Sequence, residues 1–228
     1  NPLLHIKADI LLMMNILRLC ENIKSVTLSE YIPNDILYAL NIYGKNIKEI
    51  IFASCDVDFG TGYFDKLCKQ HKNTETPFLP KLISLKFTDN DGILKQYTLE
   101  YFVTYFTQLQ RIGTNYDEYK EWTVNPFTFV KILLNCRDLV YMEFLTEQCY
   151  IGKWKEAYKI LAKYATINIK EIILGKGYEF DDECCKLFMD KNVCPKLTEL
   201  RMNGVPASKS MIKNLKNARK NVNIDFDE

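Results

Sequence analysis

Two histidines, eight cysteines and a few paired carboxylates are the groups with which this chain could do metal or covalent chemistry. Cys68-Lys69-Gln70-His71 offers two zinc-type ligands, but structural zinc is held by four, and no second pair stands at a ligand spacing. Cys184, Cys185 and Cys194 would make a thiolate cluster only if they converged. At helical spacing ahead of a strand they read as core, where a thiol behaves as a small hydrophobe. His5 and His71 are the only imidazole bases available to a cysteine nucleophile, and spacing alone places neither beside a thiol. Gly60-Thr61-Gly62 lacks the third glycine and the lysine of a phosphate loop. Asp181-Asp182 reads as a helix start and Asp56 with Asp58 as a loop. The sequence therefore predicts no catalytic residue, no metal site and no cofactor, which leaves side-chain display as the candidate function.

What positions those side chains is a recurring element. In Cys194-Pro195-Lys196-Leu197-Thr198-Glu199-Leu200-Arg201-Met202 the apolar residues Leu197, Leu200 and Met202 have L-x-x-L-x-L spacing. Pro195 bars a helix at the start, and the last two alternate as in a half-buried strand. The spacing returns as Ile23/Val26/Leu28, Ile47/Ile50/Phe52, Leu82/Leu85/Phe87, Leu139/Met142/Phe144 and Ile169/Ile172/Leu174. Weaker copies are Leu109/Ile112/Thr114 and a slipped Val222/Ile224/Phe226. Their fourth positions, Val26, Ile50, Leu85, Ile112, Met142, Ile172, Leu200 and Ile224, step by 24, 35, 27, 30, 30, 28 and 24 residues. Most steps lie near the roughly 20 to 29 residue period of a strand-plus-helix repeat. The step of 35 contains the polar stretch 69–76, which predicts an inserted loop. Local likeness supports the period: Asn22-Ile23-Lys24, Asn46-Ile47-Lys48 and Asn168-Ile169-Lys170 share type and place.

Between the strands the apolar spacing turns helical. Helices are expected over 8–20, from Pro33 to Gly44, and over 63–69, 97–108, 127–134, 155–164, 181–190 and 208–220. Residues 10–14 form the most apolar run and predict a buried helix, too short to span a bilayer and without a secretory cleavage pattern. Residues 115–125 predict a loop. The basic residues Lys213, Lys216, Arg219 and Lys220 close the last helix, where positive charge offsets the helix dipole, and predict a solvated cap.

Thirty Lys and Arg nearly balance 29 Asp and Glu, for a net charge of +1. That argues against broad electrostatic capture of nucleic acid or an acidic membrane, which select a strongly basic face. The cysteines are scattered over a chain far larger than disulfide-stapled scaffolds, so free, buried thiols in a reducing intracellular compartment, cytoplasmic or nuclear, are expected. At 228 residues and 47% hydrophobic composition, one domain spanning 1–228 is expected. The first residue is Asn1 rather than methionine, which suggests a fragment lacking an N-terminal region.

Three repeats place cysteine three residues before the first apolar position: Cys20-Glu21-Asn22-Ile23, Cys136-Arg137-Asp138-Leu139 and Cys194-Pro195-Lys196-Leu197. Leu79-Pro80-Lys81-Leu82 is a fourth version. Cys55 and Asn90 stand three places after the last apolar residue, where a polar side chain can bond the backbone leaving a strand. Together these resemble the cysteine-containing leucine-rich repeats of F-box proteins. The resemblance implies a ribonuclease-inhibitor-like α/β solenoid of about eight strand-helix units, with a parallel concave sheet and helices on the convex side. It also implies the substrate-recognition part of a ubiquitin ligase receptor. An F-box would then lie upstream of Asn1 and bind the cullin-ligase adaptor; Ile32-Pro33-Asn34-Asp35-Ile36-Leu37 resembles its opening but is needed as a convex helix.

Strand alternation sends the residues between the apolar ones to the open face. They include Ser25, Thr27, Ser29, Glu49, Ile51, Ala53, Ser84, Lys86 and Thr88 early in the chain. Later come Arg111, Asn115, Tyr141, Glu143, Leu145, Glu171, Ile173, Glu199, Arg201, Asn203, Asn223, Asp225 and Asp227. Among these, Glu49, Arg111, Tyr141, Glu143, Glu171, Ile173, Glu199 and Arg201 are the candidate partner-binding residues. An aromatic anchor beside charges is the composition of a protein interface, and the acidic bias favours a partner bearing Lys or Arg. The alternatives are a repeat scaffold or regulator unrelated to ubiquitin and, further off, an α/β enzyme with an unrecognised site.

Overall fold

Alternating apolar residues become strands and three-to-four spacing becomes helices along most of the chain. The computed structural model describes residues 2–31, 34–56, 62–73, 78–88, 96–115, 124–145, 154–164 and 168–227. Contacts divide the chain into two compact units, Asn1–Leu94 and Lys95–Glu228. The first holds α1 (Pro2–Leu19), β1 (Ser25–Tyr31), α2 (Asn34–Tyr43), a 3-10 turn (Gly44–Asn46), β2 (Glu49–Asp56), α3 (Gly62–Asn73) and β3 (Ser84–Thr88). The second holds α4 (Gln96–Tyr105), β4 (Arg111–Asn115), α5 (Pro126–Asn135), β5 (Tyr141–Leu145), α6 (Trp154–Tyr164) and β6 (Glu171–Leu174). It continues with α7 (Asp182–Met189), β7 (Glu199–Asn203), α8 (Lys209–Ala218) and β8 (Asn223–Asp227).

Both units are α/β, with parallel strands alternating with helices. β1, β2 and β3 pair in chain order in the first, and β4 to β8 do so in the second. Helices follow the same order: α1 packs on α2 and α2 on α3, while α4, α5, α6, α7 and α8 each meet the next. The register is in phase from repeat to repeat. In the second unit Ile112, Met142, Ile172, Leu200 and Ile224 align and are buried. Aromatic rings fill the space behind them: Trp154 meets Tyr178 edge-on at 4.7 Å between centroids, and Tyr158 meets Phe180 at 5.2 Å. The Tyr158 hydroxyl donates to the Tyr178 carbonyl at 2.8 Å, which supplies the hydrogen bond a buried phenol needs.

The cysteine positions acquire a local explanation. Among the described residues, six strands before β8 are entered through a turn in which the first apolar residue's amide donates to the carbonyl three residues earlier. The pairs are Ile23 to Cys20, Ile47 to Gly44, Leu82 to Leu79, Leu109 to Phe106, Leu139 to Cys136 and Leu197 to Cys194. At four of these turns the side chain is in the core: Leu79, Phe106, Cys136 and Cys194 are all buried. Leu79 and Cys194 take positive φ, 47° and 45°. Each precedes a proline, which disfavours the right-handed helical conformation at that residue. The thiol also ties repeats together, since Cys136 Sγ donates to the Phe106 carbonyl at 3.8 Å. Two residues further on, the polar ladder seen as sequence likeness is physical: Lys81 Nζ bonds Asn46 Oδ1 at 2.6 Å, Asn46 Nδ2 bonds the Glu21 carbonyl at 2.8 Å, and Lys196 Nζ bonds Asn168 Oδ1 at 3.1 Å.

Several expectations need correcting. Arg219 is not a solvated cap. It is 7% exposed, and its guanidinium donates to the carbonyls of Asp190 at 3.1 Å, Val193 at 3.0 Å and Cys194 at 3.0 Å. It stands at the turn position that cysteine holds elsewhere, as the Val222 amide donating to its carbonyl shows. A long planar donor reaches three acceptors where a thiol reaches one. Residues 69–73 of the expected loop belong to α3, and 74–76 lie outside the described residues. Cys55 lies inside β2, paired with Glu30 past a register shift, rather than at the strand exit. Asn90 and residues 116–123 of the expected second loop lie outside the described residues, and so do Ile32 and Pro33. The apolar run 10–14 is not a buried segment: Leu11 and Leu12 are 60% and 59% exposed. Cys20, expected buried, is exposed as well.

Candidate surface on the open face of the second unit

Seven of the eight predicted partner-binding residues lie in the second unit, and the register brings them together. Arg111, Tyr141, Glu171, Glu199 and Asn223 form one row across β4 to β8. Gly113, Glu143, Ile173, Arg201 and Asp225 form the next row. With strands about 4.8 Å apart, each residue touches its row neighbours. Glu49 belongs to the first unit. Its carboxylate accepts from Ser25 Oγ at 2.8 Å and Ser84 Oγ at 3.0 Å, so it ties β1, β2 and β3 side by side.

The Arg111 guanidinium lies over the Tyr141 ring, 4.2 Å from its centroid. Such a contact is worth about 0.5–1 kcal/mol at an open site, roughly a two- to fivefold preference for this ring orientation. Tyr141 also hydrogen-bonds Glu143, its same-face neighbour two residues on. Burial first, then the Glu143 hydrogen bond and charge, push the Tyr141 phenol well above its ordinary value, against a smaller opposing effect of Arg111. The phenol is thus neutral at physiological pH, a donor and an apolar body but not an anion. Arg201 bonds Glu199 at 2.8 Å and approaches Asp225 at 3.7 Å. Pairs this exposed contribute at most about 1 kcal/mol, so they arrange charge more than they stabilise. Glu171, between Tyr141 and Glu199, makes no ion pair among the described residues.

Two of these residues are less open than strand alternation predicts. Glu143 is 9% and Ile173 8% exposed, and Ser84 in the first unit is similarly buried. Glu143 and Ile173 lie inside their strands and Ser84 opens β3, each with a longer side chain beside it: Tyr141 beside Glu143, Arg201 beside Ile173 and Glu49 beside Ser84. The accessible part of the surface is therefore Arg111, Tyr141, Glu171, Glu199, Arg201 and Asp225 over a packed Glu143–Ile173 floor. Gly113 was not among the predicted residues. The alternation broken by a glycine between Ile112 and Thr114 was its signal, and it leaves the position beside Glu143 without a side chain.

The groups with latent chemistry do not converge on anything. Among the described residues no group of three or more His, Cys, Asp or Glu could hold a metal ion. Burial pushes the thiols of Cys136, Cys184, Cys185 and Cys194 up to about 12. Thiolate, the nucleophilic and metal-binding form, is then scarce at neutral pH. Asp181 is the N-cap of α7, its carboxylate accepting from the amides of Glu183 at 3.0 Å and Cys184 at 2.9 Å. No described helix is long and apolar enough to cross a membrane. No protein-family model and no curated protein matched the chain when it was compared with them.

Proposed function

We propose that this chain is a leucine-rich-repeat module of the cysteine-containing, F-box-associated type, a non-catalytic solenoid that binds a protein partner on its open parallel sheet. The carrying observation is the Arg111–Tyr141 stack set in one register row with Glu171 and Glu199. An oriented aromatic ring flanked by carboxylates offers what interface anchors have, apolar area with little rotamer entropy to lose and charge to set the register. The repeat reading is supported by strands pairing in chain order, helices packing chiefly on their sequence neighbours among the described residues, and the strand-entry turn recurring at the Cys-x-x-Leu positions. Each repeat then buries its apolar face only against its neighbours, the physical logic of stacked arrays.

The four carboxylates of Glu143, Glu171, Glu199 and Asp225 face two guanidiniums, Arg111 and Arg201. A partner segment carrying Lys or Arg is the complement. In the receptor reading that segment belongs to a protein presented for ubiquitin transfer, and an intracellular setting goes with it. The test is affinity capture from cell lysate with the chain in its full-length context, beside a Tyr141→Ala, Glu171→Arg, Glu199→Arg variant. A protein captured by the parent and lost with the variant, while the cullin-ligase adaptor is retained by both, is the expected result. Adaptor missing from both with a partner still lost overturns the ubiquitin connection, and identical capture by both overturns the surface.

A further inference from the structure

A cavity of about 620 Å³ is lined by the turn after α7 and the turn after α8, a volume within the range of small-molecule pockets. The charged residues of its lining are all cationic: Lys191 from the first turn, Arg219 and Lys220 from the second, with the amide side chains of Asn217 and Asn221 beside them. Lys191 and Lys220 are exposed and make no ion pair among the described residues. Arg219 is the unusual member. A buried cation ordinarily has an anion against it, yet this guanidinium bonds three neutral carbonyls through Nη1 and Nη2. Of the five N–H donors that a guanidinium carries, Nε–H has no acceptor among the described residues. The Asp190 carboxylate accepts instead from the backbone and side-chain amides of Asn192, at 2.9 and 3.0 Å, and does not line the cavity. The Cys194 thiol, pushed up to about 12 by burial, is neutral at pH 7.

We propose that this cavity binds a small phosphate-bearing anion, with Arg219 Nε–H and the ammonium groups of Lys191 and Lys220 as its donors. Three cationic groups with no carboxylate in the lining favour a ligand of about two negative charges or more, which at neutral pH a phosphate monoester or a polyphosphate carries and a single carboxylate does not. A guanidinium supplies a fixed, planar donor to phosphate oxygens, and lysines add mobile point charge. The amides of Asn217 and Asn221 offer neutral donors and acceptors to whatever body bears the phosphate. Carbonyls at helix C-termini would oppose an anion, but those of Asp190, Val193 and Cys194 are held by the guanidinium and that of Leu215 by the Arg219 amide. The site is separate from the open-face surface in place and in charge. That surface is mainly acidic and displayed along β4 to β8, whereas the cavity stands at the entry to β7 and β8.

Isothermal titration calorimetry of the intact chain with pyrophosphate and, separately, with glycerol 2-phosphate tests the site. At neutral pH and about 150 mM salt, exposed charges more than about 8 Å apart are largely screened. Binding at one site with Kd below about 1 mM is expected for at least one probe, and the tighter of the two tells whether a polyphosphate or a monoester is the better fit. Lys191→Glu with Lys220→Glu should weaken that binding at least about 10-fold. Lys186→Glu with Lys213→Glu, at exposed positions outside the cavity, changes the net charge equally and should leave it within about threefold. All four lysines are exposed, so far-UV circular dichroism should show the parent fold in both variants. No binding of either probe up to about 10 mM overturns the proposal. Equal weakening by the two pairs of substitutions also overturns it, since overall charge rather than this cavity would then hold the anion.

Discussion

Replacing Arg219 tests how the turn after α8 is held to the turn after α7. Its guanidinium serves three carbonyls, but they would not suffer equally on truncation. The Asp190 carbonyl also accepts from the Val193 amide, and the Cys194 carbonyl from the Leu197 amide. The Val193 carbonyl has no other acceptor contact among the described residues, so Arg219→Ala would orphan one acceptor and strip one bond from each of two others. An orphaned buried carbonyl costs about 1–3 kcal/mol, and a lost bond with its partner otherwise satisfied about 0.5–1.5 kcal/mol. A neighbouring cavity of about 620 Å³, lined by Arg219 together with Met189, Leu197 and Val222, could admit water to the exposed acceptors and soften the loss. Desolvating the guanidinium in the native protein, which holds the Arg219 pKa below its ordinary value, already offsets part of the gain. Together these give about 3 kcal/mol for Arg219→Ala, read as the shift in urea unfolding of the whole chain. Arg219→Met keeps the aliphatic stem and should lose nearly as much, because the donors rather than the packing carry the effect. Lys220→Ala, at an exposed neighbour, should stay within about 0.5 kcal/mol. A loss below about 1 kcal/mol for Arg219→Ala would refute the view that this side chain staples the turn.

Other perturbations follow from the same contacts. Burial opposes ionisation of Asp181, but the Cys184 and Glu183 amides and Lys155 outweigh it and hold the carboxyl below its ordinary value. That stabilisation is complete above the ordinary aspartate value of about 3.9 and is lost as pH falls through the lower folded value. Asp181→Asn keeps a capping oxygen without the charge, so its stability deficit of roughly 0.5–1 kcal/mol at pH 7 should shrink toward zero as pH falls through the lowered folded value; an unchanged deficit would count against the cap carrying charge. Native-state alkylation at pH 8 should modify Cys20 readily and spare Cys136, Cys184, Cys185 and Cys194 until the chain unfolds, with mass mapping as the readout. Fast modification of any of those four would contradict their burial. Glu49→Ala removes the acceptor shared by Ser25 and Ser84 and should cost about 1–2 kcal/mol, while Glu49→Gln, retaining one acceptor oxygen, should cost less than half of that. Equal losses for the two would show that the serine bonds are not what Glu49 provides.

Much of the architecture was legible because it is local. L-x-x-L-x-L spacing fixes which residues of a strand are buried, so every apolar strand marker from Ile50 to Ile224 was found on the inner face. Helix starts at Asn34, Asp181 and Ser208 were marked by proline or capping residues whose physics acts within one turn. The row that gathers Arg111, Tyr141, Glu171 and Glu199 could also be drawn from the repeat period, since a constant period aligns equivalent residues.

The remainder depended on distances between repeats, which no spacing encodes. A cysteine and an arginine look unrelated in the chain, yet Cys136 and Arg219 occupy the same turn position and bond the carbonyl of the preceding turn. Only the stacking of one turn on another shows that a buried cation has acceptors there, because burying it without them would cost several kcal/mol. Whether Glu143 and Ile173 are open was likewise decided by neighbouring strands. Alternation assigns a face, but the side chains beside a residue settle how much water reaches it. The apolar stretch in α1 makes the same point: composition marked it as core, yet Leu11 and Leu12 are exposed. Sequence by itself determined the rhythm of strands and helices, through short-range sterics and hydrophobic period. Tertiary structure decided which polar groups are satisfied and which surfaces remain open, because both depend on what lies a few ångströms away in space.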